Sequence, residues 1–66
     1  MPQTLEELAS MIAERDQISY EEAWDSVRDC ATEMEAAFYR GSLFEVEEIL
    51  KDYLGLEPDY LDLFIF

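Results

Sequence analysis

Three short phrases constrain this chain more than anything else in it: "TLEE", "SYEE" and "SLFE". Each places a hydroxyl residue three positions before a glutamate, at Thr4/Glu7, Ser19/Glu22 and Ser42/Glu45. This spacing is a capping box. The hydroxyl accepts one of the early backbone N–H groups that a helix leaves unpaired, and the carboxylate reaches back toward the cap. Three boxes in 66 residues require three helices. "RDQIS" breaks the first from the second, Gly41 stops the second, and Gly55 stops the third, with Leu56 placed to fold back as the apolar residue of a Schellman cap. The boundaries that follow are 5–15, 20–39 and 43–54.

Apolar periodicity agrees. Leu5, Leu8, Ala9 and Ile12 mark one face of the first helix, and Ile18 is placed to staple onto Ala23. At 100° per residue, Tyr20, Ala23, Trp24, Val27, Ala31, Met34 and Phe38 fall on one side of the second. Leu43, Val46, Ile49, Leu50, Tyr53 and Leu54 line the third, with Phe44 among acids on its polar side. In the tail "EPDYLDLFIF", Pro58 suits a first helical position, and Tyr60, Leu61, Phe64 and Ile65 would share a face. A C-terminal strand competes there, because the ending is aromatic and β-branched. The fold expected is all-α: a single small bundle of three helices with a short helical tail. A chain this short buries only about 60% of its unfolded surface, so its margin of stability is small.

Charge is the outlying property. Seventeen acids face four bases, Arg15, Arg28, Arg40 and Lys51, for a formal net charge of −13. Half the residues are hydrophobic and periodic, which excludes the disorder that such acidity otherwise implies. An acidic surface repels nucleic acid and anionic membranes and attracts basic surfaces. The outline of helix–turn–helix in "LEELASMIAERDQISYEEAW" therefore does not read as a DNA reader, which needs bases to meet phosphates. "MPQTLEELAS" has neither a basic leader nor an apolar run, and "YLDLFIF" is far short of the ~20 residues that span a bilayer, so no targeting or membrane segment is expected. The one cysteine, Cys30, is read as a small core residue of a reduced, cytoplasmic protein.

Catalytic and metal chemistry are poorly served. There is no histidine, the usual general base and metal ligand. The order of acids and glycine that makes a calcium loop does not occur, and Glu-x-x-His pairs for a di-iron site are impossible. The expectation is a non-enzymatic protein with no cofactor and no dedicated metal site.

The acids are not scattered. Glu21, Asp25, Asp29 and Glu33 recur every four residues, and with Glu22 they occupy the arc of the second helix opposite its apolar face, with no base expected among them before Arg40. Like charges four apart cost roughly 0.2–0.5 kcal/mol per pair. One reading is a solvated face that keeps a half-apolar chain soluble. The other is a decoy of nucleic-acid phosphates. Positions four apart rise ~6 Å along a helix, of the order of phosphate spacing along a strand, ~3.4 Å of axis per nucleotide plus its winding. Seven of the nine aromatics lie from Phe38 onward, and Tyr39 and Phe44 project to the polar side as candidate anchors for a protein partner. The candidate partner-binding residues are thus Glu21, Glu22, Asp25, Asp29, Glu33, Tyr39 and Phe44. The partner expected is a basic protein surface on a nucleic-acid-binding protein. The alternative is a structural or assembly module, paired with a second copy through the aromatic C-terminal half.

The segments "ISYEEAW" and "EVEEILKDYLGLEPDYLDLF" resemble short acidic proteins of bacterial prophages and other mobile elements. That resemblance covers most of the chain and implies a bacterial cytoplasm. Small acidic proteins of that setting are often inhibitors of host nucleic-acid machinery, such as restriction or CRISPR nucleases. The group has no settled activity, so no residue roles are carried over from it.

Overall fold

The computed structural model describes residues 1–64. Three α-helices, α1 (Leu5–Asp16), α2 (Tyr20–Tyr39) and α3 (Leu43–Leu54), are followed by a 3₁₀ helix, Pro58–Phe64. The all-α bundle with a short helical tail is what the sequence predicted, and no strand occurs among the described residues. The tail took the helical option in its tighter form. Ile65, expected on its apolar face, and Phe66 lie outside the described residues.

The capping hydroxyls set the helix starts. The Glu7, Glu22 and Glu45 backbone N–H groups donate to Thr4 Oγ1 (3.1 Å), Ser19 Oγ (3.1 Å) and Ser42 Oγ (3.3 Å). The reciprocal half of the box is altered: Glu7 Oε1 accepts from Gln3 N–H, one residue before the cap, at 2.6 Å, and Glu45 turns instead to Arg40 at 3.1 Å. At the end of α2, Gly41 N–H donates to Phe38 O and Ser42 N–H to Ala37 O, the paired bonds of a Schellman motif around Gly41 at φ 78°. The end of α3 differs from the expectation. Gly55 N–H donates to Lys51 O (2.8 Å), the single bond of an αL cap, and Leu56 is buried beyond it.

Gln17 is the exposed, positive-φ residue that ends α1 (φ 55°). The left-handed region costs a non-glycine residue roughly 1–2 kcal/mol. Gln17→Gly is therefore expected to raise stability by about 0.5–1 kcal/mol, read as a higher thermal midpoint; an unchanged or lower midpoint would contradict this account of the cap.

α2 is the central element, with α1 and α3 packed along it, and its length sets the long axis of a 33 × 20 × 17 Å molecule. Its fully buried residues are Ala23, Val27, Cys30, Met34 and Ala37, a 4-3-4-3 spacing that forms a heptad-like seam. This corrects the predicted face. Tyr20 and Phe38 are exposed and Trp24 and Ala31 only partly buried, so the core side is rotated toward Cys30 and Ala37. The reason is packing against two helices at once. Small side chains at 23, 30 and 37 let both neighbours approach, and the aromatics move to the margin, where Tyr20 and Trp24 stack with ring centroids 6.4 Å apart. On α3, Val46, Leu50 and Leu54 are buried, whereas Leu43 and Tyr53, expected in the core, are exposed. The tail closes the bundle: Phe64 is buried, Tyr60 and Leu61 pack against the core, and the Tyr60 hydroxyl lies 3.9 Å from Met11 Sδ on α1.

Candidate functional site

The acidic arc of α2 is built by helix geometry alone. Glu21, Glu22, Asp25, Asp29 and Glu33 are all exposed, on the side of α2 away from its seam. Twenty helical residues form a rod of about 30 Å, so these carboxylates are held at fixed spacing on the longest element of the fold.

The arc is not free of bases. Arg28 lies within it and bonds Asp25 across one turn, Nη2 to Oδ1 at 2.8 Å, with both side chains exposed. The sequence reading overlooked Arg28 because it followed the acids at every fourth position, and the base sits at the third position after Asp25. Glu33 is engaged as well, accepting a long bond from the Tyr53 hydroxyl of α3 at 3.5 Å. Partial burial, then the charge of Glu33 and its hydrogen bond, then the charge of Asp29, push the Tyr53 phenol above its ordinary value. The Asp29 side chain makes no hydrogen bond or ion pair among the described residues. It sits between the Arg28–Asp25 pair and Tyr53, and is the most available charge near the middle of the arc.

The aromatic candidates part company. Tyr39, 76% exposed, lies five turns on from Glu21 and so on the same side of α2, at the far end of the arc. Phe44, 72% exposed, belongs to another surface, a groove on the outer side of α3 with Glu47, Glu48, Lys51 and Leu56. The structure thus gathers the acids and Tyr39 along one helix and leaves Phe44 apart. Two features of the arc, Arg28 and Tyr53, were missed by sequence reasoning. The (i, i+3) spacing of Asp25 and Arg28 was the available signal for the first; the second needs the α2–α3 packing.

Behind the arc, Cys30 is fully buried, its Sγ 3.4 Å from Met34 Sδ, and burial pushes its thiol up to about 12. Folding therefore holds the neutral thiol. The stability linked to this group is full below the ordinary thiol range and is lost as pH rises toward about 12. In the native state near pH 8, Cys30 is expected to react with iodoacetamide at least about a hundredfold more slowly than in denaturant; equal rates would show that the seam opens freely. No three metal-ligating side chains converge among the described residues, and no helix there is long and apolar enough to cross a membrane.

Comparison with known proteins finds no matching family model, no matching curated protein and no matching solved structure.

Proposed function

We propose that this chain is a non-enzymatic binding protein whose α2 arc engages a basic, nucleic-acid-binding site on a host or defence protein and blocks it as a decoy of phosphates. The observation that carries the proposal is an imbalance of charge on a rigid helix. Three of the four bases are already paired within the chain, Arg15 with Asp16, Arg28 with Asp25 and Arg40 with Glu45. Glu21, Glu22 and Asp29 stay exposed and make no ion pair among the described residues. Solubility accounts for acids in number. It does not account for stacking them every four residues on one helix, where each pair opposes folding. A basic partner does, because it turns that repulsion into attraction on binding. The likeness to short acidic proteins of mobile elements supports a bacterial, intracellular setting and an inhibitory role.

A second reading, an assembly module that pairs with its own copy, is favoured by the exposed Tyr39 and Leu43 at the α2–α3 corner and by Phe44 exposed on the outer side of α3. Salt separates the two, since a charge-steered complex weakens across moderate salt and an apolar one does not. The test is retrieval from a nuclease-treated bacterial lysate with the tagged chain. A nucleic-acid-binding protein retained at low salt, then released both by moderate salt and by added DNA, supports the decoy. Retention indifferent to both, or recovery of the chain alone, overturns it.

A further inference from the structure

The acidic arc of α2 is bordered by a ring from another helix. Tyr53 of α3 stands with Asp29, Thr32 and Glu33 around a notch of about 260 Å³ between the two helices. Tyr53 is 47% exposed, and its hydroxyl donates to Glu33 Oε1 at 3.5 Å. The remaining carboxylate oxygens are open to a ligand: Glu33 Oε2 and both oxygens of Asp29 make no hydrogen bond or ion pair among the described residues. The Thr32 hydroxyl is turned back onto its own helix, donating to Arg28 O at 3.1 Å. The notch thus joins two unpaired carboxylates of α2 to a half-exposed aromatic ring of α3.

Carboxylates beside a ring discriminate between cations. A lysine ammonium is a compact point charge with no flat face. An arginine guanidinium is planar, carries five N–H donors along its edge, and lays its face on aromatic rings. Asp29 and Glu33 lie one turn apart on the same side of α2, a rise of ~6 Å, so the edge of one guanidinium can address both. We infer that the notch receives an arginine of the basic partner, its edge bonded to Asp29 and Glu33 and its face on Tyr53, and that Tyr53 makes this part of the arc prefer arginine to lysine. The inference rests on the proposed reading of the arc as the seat of a basic protein, and it names the side chain that protein presents. A second copy of the chain does not supply it, because Arg15, Arg28 and Arg40 are each bonded to an acid of their own chain.

The probe is a capped glycine–arginine–glycine tripeptide, compared with glycine–lysine–glycine at low ionic strength, where exposed charges are least screened. Each is titrated into the folded chain and followed by NMR at the Tyr53 ring protons and the Asp29 and Glu33 amides. The arginine peptide is expected to bind there at least about threefold more tightly, the margin that a cation–π contact at an exposed site supplies. Tyr53→Leu should remove most of that margin by weakening the arginine peptide alone. Tyr53→Phe keeps the ring, loses the bond to Glu33, and should retain the margin. Both variants should keep the helical circular-dichroism spectrum, because Tyr53 lies outside the buried core. Equal affinities for the two peptides, or a margin that survives Tyr53→Leu, would overturn the inference. So would a margin lost equally in Tyr53→Phe, since the ring would then not be what the arginine meets. The ratio is read on the isolated chain, so it fails separately from the arc reading: equal peptide affinities beside DNA-competed capture would strike the arginine preference and keep the decoy.

Discussion

Leu50→Ala is expected to leave the chain largely unfolded at 37 °C. Leu50 is fully buried at the centre of α3, where it faces the α2 seam. Truncating a buried leucine costs about 2–5 kcal/mol, made of lost transfer energy and the cavity left behind. A single core in a chain of this size rarely supplies more than about 3–5 kcal/mol in total. The two ranges overlap, so one substitution can consume most of the margin. No disulfide can compensate, since the sequence holds one cysteine. Far-ultraviolet circular dichroism during a thermal or urea melt reads the loss directly. Leu43→Ala on the same helix is the control. It removes a side chain that is mostly in water, and its cost should stay within about 0.5 kcal/mol. Similar costs for the two would mean that α3 does not pack as the structure has it.

Asp29→Lys is expected to abolish capture of the basic partner while making the fold slightly more stable. Its neighbours four residues away on either side are Asp25 and Glu33, and a lysine between them converts two repulsions into two attractions worth roughly 0.2–0.5 kcal/mol each. At the interface, the same change sets a cation against a cation, which costs several kcal/mol. Affinity should fall at least about a hundredfold as the thermal midpoint rises by roughly 4–10 °C. Asp25→Lys should behave differently. Asp25 already accepts a hydrogen bond from Arg28, so reversing it breaks that bond and sets like charges together without stabilising the helix to the same degree. Binding should fall less than for Asp29→Lys. Equal losses at the two positions would mean that net charge, and not its placement, governs capture.

If Asp29→Lys moves stability and binding in opposite directions, the proposed partner accounts for the acids stacked on α2. A surface selected for solubility alone would interleave lysines at the (i, i+4) positions and gain helix stability from them. This chain accepts the repulsion, offsets a small part of it with Arg28, and keeps the rest exposed.

Much of this architecture was legible in the sequence because local chemistry decides it. Capping hydroxyls at Thr4, Ser19 and Ser42 determine where each helix begins, and Gly41 and Gly55 where two of them end. The boundaries differ from expectation only by Asp16, which extends α1 by one residue. Orientation about the helix axis was harder. Hydrophobic pattern weights bulk, and Tyr20, Trp24 and Phe38 pulled the expected core of α2 toward themselves. The true seam depends on Ala23, Cys30 and Ala37, whose small side chains carry little hydrophobic signal but allow two helices to close on α2. Leu43 and Tyr53 were misplaced for a related reason. Periodicity cannot tell that α1 stops short of Leu43's end of the bundle, or that Tyr53 turns out toward Glu33. The five acids of the candidate site were visible because helix periodicity alone places them. Arg28 was within reach at its (i, i+3) spacing. The separation of Phe44 from Tyr39 follows from tertiary packing, which no spacing rule contains.

The measurement that bears most directly on the decoy is competition between the arc and DNA for the captured partner. Immobilised wild-type chain, loaded from nuclease-treated lysate, is challenged with increasing duplex DNA at constant ionic strength, beside an Asp29→Lys bait treated identically. The account predicts that DNA displaces the partner from the wild-type chain in a dose-dependent way and that the Asp29→Lys bait retains none to displace. A partner that stays bound at saturating DNA, or that the Asp29→Lys bait retains equally well, would contradict it, and α2 would then carry its acids for solvation alone.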